Sequence, residues 1–499
     1  MNVEELTVQE VLQSYATGTF SCQALTHAYL ERIARFNPRY NAFVYVNEHA
    51  MREARAIDTR LAAGEEVGAL AGIPVVIKDP VDVAGMPTTA GWAPLSERAG
   101  GVAFIPGRDA PVVARLRAAG AIILGKTNVP AFSFDLSRTT TSWAGPTLNA
   151  AQPELVPGAS SAGSATAVSG NLALLGVGTE TSGSIQNPAG AQALVGVKPT
   201  FGLVPTAGVV PLSASARDVL GPLARTVRDA AVMLDVMVGV CPEDPTTQAA
   251  RGHGPRDGYA AALRVGALRG KRLGLYGPGW RDQPPGEETR RLYEQALQEL
   301  RALGASLVED PFAGSGFGAF MKGVRASWGF ECLVHDLQAY LERLASPLVP
   351  GVSALRRLGG RDPFAEGEVL GELRGRLGSA LEAPRVLPDL SRFWHARAHL
   401  LREFGTVLTT SALDALVFPQ RLGDLPRLDG AGDIASSTEP EINIAGLPGV
   451  TVPAGYHTSG APFALMFLGP KWSEADLLAF AHDYEQATRY RTAPVLQVR

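Results

Sequence analysis

Residues 72–79 read Gly-Ile-Pro-Val-Val-Ile-Lys-Asp. A short run of Val and Ile, bounded by Gly72 and by charge, predicts a strand buried on both faces. Residues 121–124 and 172–177 carry the same signal. Helical patterns separate these runs, as at 110–119, where Gly120 closes the pattern. Upstream, Ser21 is placed to cap a helix whose apolar positions Leu25, Ala28, Tyr29, Ile33 and Phe36 recur at helical spacing. A second amphipathic helix is predicted over 48–61. Strand and helix in alternation predict an α/β fold, a sheet with helices on both faces.

Further strands are predicted at 272–276 and 306–309, flanking a helix at 288–303. Residues 311–402 read as helical with Pro and Gly breaks. Strand signals return at 415–418, 449–453 and 463–468. A last helix follows, with Ser473 and Asp476 spaced as a capping box. The late strands are expected to complete the early sheet. The chain is therefore read as one domain, 1–499. It comprises N-terminal helices (1–64), a catalytic core (65–240), a helical insertion shaping a substrate pocket (311–402) and a C-terminal part completing the sheet (411–499).

The chain has 499 residues, 46% of them hydrophobic, and a net charge of -4. That balance suits a globular protein with a sizeable core and argues against nucleic-acid binding through bulk positive charge. Three scattered cysteines, with no CxxC pair, argue against a structural zinc site and fit a reducing compartment. The N-terminus lacks the basic-then-apolar pattern of a signal peptide, and no apolar run reaches the roughly 18 residues of a membrane span. Cytoplasmic location, no membrane association, no cofactor and no metal are the expectations.

Of 45 basic residues only six are lysines, so a lysine at the end of an apolar run is informative. Burial can strip the proton from Lys78, which it cannot do to an arginine. Two other segments are built of very small residues: Pro157-Gly-Ala-Ser160-Ser-Ala-Gly-Ser164 and Gly178-Thr-Glu-Thr-Ser-Gly-Ser184-Ile-Gln186. Such segments let backbone N–H groups converge on an anion. A serine needs a base to become a nucleophile. None of the eight histidines lies in these segments, and no G-x-S-x-G elbow occurs. This weighs against a histidine-based α/β-hydrolase and makes lysine the next candidate base. Ser184 and the amides before it would supply nucleophile and oxyanion hole, with Ser160 relaying protons to Lys78.

These motifs resemble those of the amidase signature family. The family pattern is a strand ending V-K-D, then G-G-S-S-G-G-S, then G-T-D-x-G-G-S-I-R, and the two serines here have the family's spacing of 24 positions. Flanking segments at 85–91, 124–128, 196–202, 221–226 and 443–449 also fit. The resemblance implies a large mixed, twisted sheet and a Ser–cisSer–Lys triad of Ser184, Ser160 and Lys78. It further implies an oxyanion hole from the amides of Thr181, Ser182 and Gly183, and hydrolysis of a small-molecule amide through an acyl-enzyme. This chain departs from the family at Ala159, Ala162, Glu180, Ser182 and Gln186. Glu180 and Gln186 stand where the family has Asp and Arg, which removes a charge pair, and the five departures together imply a different acyl pocket.

Two other readings stand beside hydrolysis. One is a glutamine-dependent aminoacyl-tRNA amidotransferase A-subunit, which would need partner subunits. The other is a non-catalytic scaffold on the same fold. Oligomeric state, a homodimer included, is left open. Residues 120–127 match the Walker A expression, but four apolar residues where a phosphate cradle belongs argue for coincidence. Lys126 and Lys198 are expected at the surface or in loops. His395 and His399, at helical spacing without a third ligand, are expected on a solvated face. Phe320, Trp328 and Phe330 favour an apolar or aromatic acyl group.

Overall fold

The computed structural model describes residues 1–325 and 328–498. Its strands are β1 (Phe43–Val46), β2 (Pro74–Lys78), β3 (Ile122–Thr127), β4 (Leu175–Glu180), β5 (Val195–Lys198), β6 (Val219–Ala224), β7 (Arg272–Leu275), β8 (Ser306–Val308), β9 (Ala415–Pro419), β10 (Gly449–Tyr456) and β11 (Pro462–Leu468). They form one mixed sheet in the order β1-β3-β2-β4-β6-β5-β10-β11-β9-β7-β8. β2 lies parallel to both β3 and β4, and β7 parallel to β8 and β9; the other neighbours are antiparallel. The late strands do enter the early sheet, through β10 against β5.

The predicted strands are present within a few residues. β1, β5 and β6 were not anticipated. In β6, Gly221 and Pro222 dilute the apolar signal. The glycine is required: a Cβ at Gly221 would stand 1.9 Å from the carbonyl oxygen of Val197 on β5. The helix Cys22–Tyr40 starts as expected, with the Ser21 hydroxyl accepting the Ala24 N–H. The capping box at the last helix, Glu474–Thr488, does not form. The Ser473 hydroxyl donates instead to the Pro470 carbonyl, 2.7 Å away. Among the described residues no helix is long and apolar enough to cross a membrane.

Two expectations for lysines are overturned. Lys126 lies in β3 and Lys198 in β5, both buried. Their ammonium groups find polar acceptors: Lys126 donates to the Pro87 carbonyl and the Thr88 hydroxyl, Lys198 to the carbonyls of Pro199 and Leu447. A lysine at a strand end reaches loop carbonyls, and that satisfaction is invisible in the sequence. The 120–127 segment runs into β3 and offers no phosphate cradle.

The main core covers the sheet, and a second cluster packs Leu333, Leu337, Leu341 and Phe364 against Trp92, Phe104 and Phe132. The segment from 330 to 381 thus sits over the loops that follow β2 and β3. In the middle of the sheet Leu465 is fully buried. Leu465→Ala should lower unfolding free energy by about 2–5 kcal/mol, read as a shift in denaturant midpoint.

Candidate active site

Lys78 is the last residue of β2, and its neighbour strand β4 ends at Thr179 and Glu180. Sheet registry therefore brings the lysine to the carboxyl ends of two adjacent parallel strands, where α/β sheets hold their ligands. The 157–164 segment crosses these ends and enters the helix Ala162–Ser169. Its small residues allow the approach. A Cβ on Gly163 would lie 2.4 Å from the Asn128 nitrogen, and the Ser164 hydroxyl donates to the Val177 carbonyl of β4 at 3.0 Å. The Ala159–Ser160 peptide bond is cis. Ser161 ties the segment down: its hydroxyl donates to the Thr179 carbonyl at 3.1 Å, and its N–H to the Ser184 carbonyl at 3.3 Å.

Lys78 is completely buried. Its Nζ lies 2.7 Å from the Ser160 Oγ, 2.7 Å from the Thr179 Oγ1 and 3.2 Å from the Thr179 carbonyl oxygen. Burial pushes the ammonium down to about 7, against the opposing pull of Asp218 and Glu180. An amine of that affinity is neutral in a large fraction of molecules at neutral pH, with a lone pair within reach of a serine hydroxyl.

Ser184 stands in the loop between β4 and the helix Gln186–Ala191. Gly183 before it has φ of +100°, a conformation natural to glycine. Among the described residues no acceptor engages the N–H groups of Ser182, Gly183 or Ser184. Ser184 opens onto a cleft of about 780 Å³. The loop is anchored by Glu180, whose carboxylate accepts from the N–H groups of Ile185 and Gln186 and from the side-chain amides of Gln186 and Asn443. The charge pair absent from the sequence is thus replaced by a 2.6 Å bond between Gln186 Nε2 and Glu180. Glu180→Ala leaves these donors buried and unpaired. It should cost about 3 kcal/mol of stability, measured by chemical denaturation.

Lys78 and Ser160 are in direct contact, and Ser184 joins them through the backbone of Ser161. Thr179, Asp218 and Arg217 also belong here, and sequence reasoning gave them no role. Thr179 lay inside a quoted motif. Arg217 and Asp218 precede β6, and only their position beside the 181–184 loop distinguishes them. Their contacts are to Ser182 and Thr181: Arg217 Nη2 donates to the Ser182 Oγ at 2.6 Å, and the Thr181 hydroxyl donates to Asp218 at 2.5 Å.

The cleft wall is apolar at Phe134, Leu212, Phe330, Val369 and Leu373. Its polar lining includes Asp135, Glu366, Glu368, Glu372, Asp433 and Glu439, and no lysine or arginine is among the described residues that line it. Asp433 and Glu368 are engaged by Arg138 and Arg361. Burial raises Glu439 to about 7, with Arg217 opposing. Of the three aromatics singled out above, Phe330 lines this cleft, whereas Phe320 and Trp328 line a separate depression beside His395. His395 is exposed and His399 partly so. Among the described residues no cluster of His, Cys, Asp or Glu has the arrangement to hold a metal ion.

A family model described as Amidase matches residues 24–318. The glutamyl-tRNA(Gln) amidotransferase A-subunit of Thermosynechococcus vestitus is 33% identical, over 96% of this chain and 98% of that protein. The native peptide amidase of Stenotrophomonas maltophilia superimposes with a TM-score of 0.81 at 32% identity, covering 99% of both chains. A peptide amidase in complex with the competitive inhibitor chymostatin gives a TM-score of 0.82 at 33% identity, again over 99% of both chains.

Proposed function

Because this chain belongs to the amidase family, we propose that it hydrolyses a carboxylic amide to an acid and ammonia or an amine, through an acyl-enzyme on Ser184. The observation that carries this reading is the buried Lys78 amine 2.7 Å from the Ser160 hydroxyl. In its neutral form Lys78 has two N–H bonds, which Thr179 accepts through its hydroxyl and carbonyl oxygens, and one lone pair left for Ser160. Ser160 passes its proton to Lys78 and takes one from Ser184, whose Oγ attacks the amide carbon. Negative charge on the carbonyl oxygen is met by the N–H groups of Thr181, Ser182 and Gly183. Collapse breaks the C–N bond, and Lys78 returns the proton through Ser160 to the leaving nitrogen. Water then attacks the ester by the same proton path, releasing the acid and restoring Ser184. No cofactor enters the balance.

The cleft supports a substrate class within that reaction. Apolar walls suit a hydrophobic acyl group, and the carboxylates of the lining disfavour anionic substrates while favouring escape of the acid product. Peptide amides fit this description. Among Lys-Phe, Ala-Phe and Asp-Phe amides, kcat/KM should fall in that order, by about tenfold from first to last at low salt. Release of ammonia measures it; an Asp-Phe amide turned over fastest would refute the assignment.

The second reading, an amidotransferase A-subunit, draws on the name of the sequence relative. It requires partner subunits. Ammonia release from peptide amides by the purified chain alone supports the hydrolase; activity confined to a complex with partner subunits supports the other. We place the protein in the cytoplasm, as its three buried free cysteines favour, and read residues 1–499 as one amidase domain.

A further inference from the structure

Ser182 stands where the family pattern has glycine, and its hydroxyl is taken up by a guanidinium. We infer that Arg217 is a positioning residue which, with Asp218, clamps the oxyanion loop: two consecutive side chains grip two consecutive residues, Arg217 on Ser182 and Asp218 on Thr181. The inference rests on the reading of Ser184 as nucleophile.

Both prongs are themselves fixed. The Asp218 carboxylate uses its second oxygen to accept the N–H groups of Leu212 and Ser213. Arg217 is completely buried, donates a further bond to the Trp328 carbonyl at 3.1 Å, and lies over the Phe330 ring at 5.2 Å. Phe330 in turn meets Phe134 edge-on at 6.2 Å, and both rings line the cleft. The grip on the loop is charge-assisted at each end, which makes each bond short and strong. Amides that bind an oxyanion act by being held before the charge develops. A glycine at position 182 would give the loop no side chain to hold. The serine supplies one, and the same guanidinium braces the aromatic wall against which an acyl group would lie. Loop order and wall position are thereby coupled through one side chain.

Ser182 is only partly buried, so Ser182→Gly removes the acceptor without disturbing the core. Arg217→Met removes the donor at similar length. Each is assayed with Ala-Phe amide for kcat and KM, with thermal melting, and with the corresponding peptide aldehyde, whose affinity reports the oxyanion adduct. Each variant should lose about tenfold to a hundredfold in kcat with KM within about twofold, and should bind the aldehyde more weakly by the same factor. The double variant should be no worse than the poorer single one, because the two changes remove one interaction. A rise in KM with kcat unchanged overturns the inference, since Arg217 would then be a substrate-binding cation; so do additive losses. If Arg217→Met fails to melt cooperatively, Ser182→Gly decides: an unaltered kcat overturns the clamp. Full-rate Ser182→Gly beside inactive Ser184→Ala removes the clamp alone, whereas an active Ser184→Ala removes the nucleophile reading and the clamp together.

Discussion

Ser184→Ala should lower kcat for amide hydrolysis by at least about 10⁴-fold while leaving the fold intact. Removing a nucleophile leaves only what binding and the oxyanion hole supply, so the loss approaches the whole contribution of covalent catalysis. The substitution is mild structurally. Ser184 is followed by a helix whose entry is fixed by Glu180 through backbone N–H groups, not by the serine hydroxyl. The melting temperature should therefore stay within a few degrees of the parent, roughly what a change below 1 kcal/mol produces. A purified variant retaining more than a few per cent of the parent rate, with contaminating amidases excluded, would remove Ser184 from the mechanism.

Lys78→Ala should be nearly as damaging, and it carries a second signature. In the parent, kcat/KM should rise with pH through a midpoint of about 7 and level off above it. The sign follows from the charge type. Burial disfavours the ammonium and lowers its proton affinity; below about 7 the lysine is charged and its lone pair is occupied, and above it the amine accepts a proton from Ser160. Lys78→Ala removes both the rate and the acid limb, leaving a residual reaction without that inflection. Its relative stability should be most favourable at and below about pH 7, where the parent buries a charged ammonium, and that advantage should fade as pH rises towards the ordinary lysine range. A parent rate independent of pH between about 6 and 9, or a variant that keeps the limb, would assign the base elsewhere.

The fold was legible where strands are short continuous apolar runs, as in β2, β3 and β11. It was obscured where close approach of two strands demands glycine, as at Gly221 against Val197. The pairing order was not readable, since β10 joins β5 across some 250 residues of chain. At the candidate site, the sequence marks out Lys78, Ser160 and Ser184: a rare lysine ends a strand, and small-residue segments carry the serines. Thr179 did not, because its value lies in being on the strand beside Lys78. Arg217 and Asp218 are ordinary charged residues in sequence, and only tertiary structure brings them to Thr181 and Ser182. Lys126 and Lys198 show the converse error. An isolated lysine reads as surface, yet loop carbonyls satisfy both in the interior. The capping box at Ser473 failed for a local reason, since the nearby Pro470 carbonyl takes the hydroxyl.

The proposed mechanism turns on a covalent intermediate on Ser184 formed with Lys78 as base. Rapid acid quench of the parent enzyme turning over Ala-Phe amide, followed by peptide mapping in the mass spectrometer, tests it most directly. The peptide containing Ser184 should gain the mass of the dipeptide acyl group during turnover, and the same peptide from Lys78→Ala quenched at the same times should not. Turnover at full rate with no acyl mass at any quench time, or with the acyl group on another residue, would contradict it.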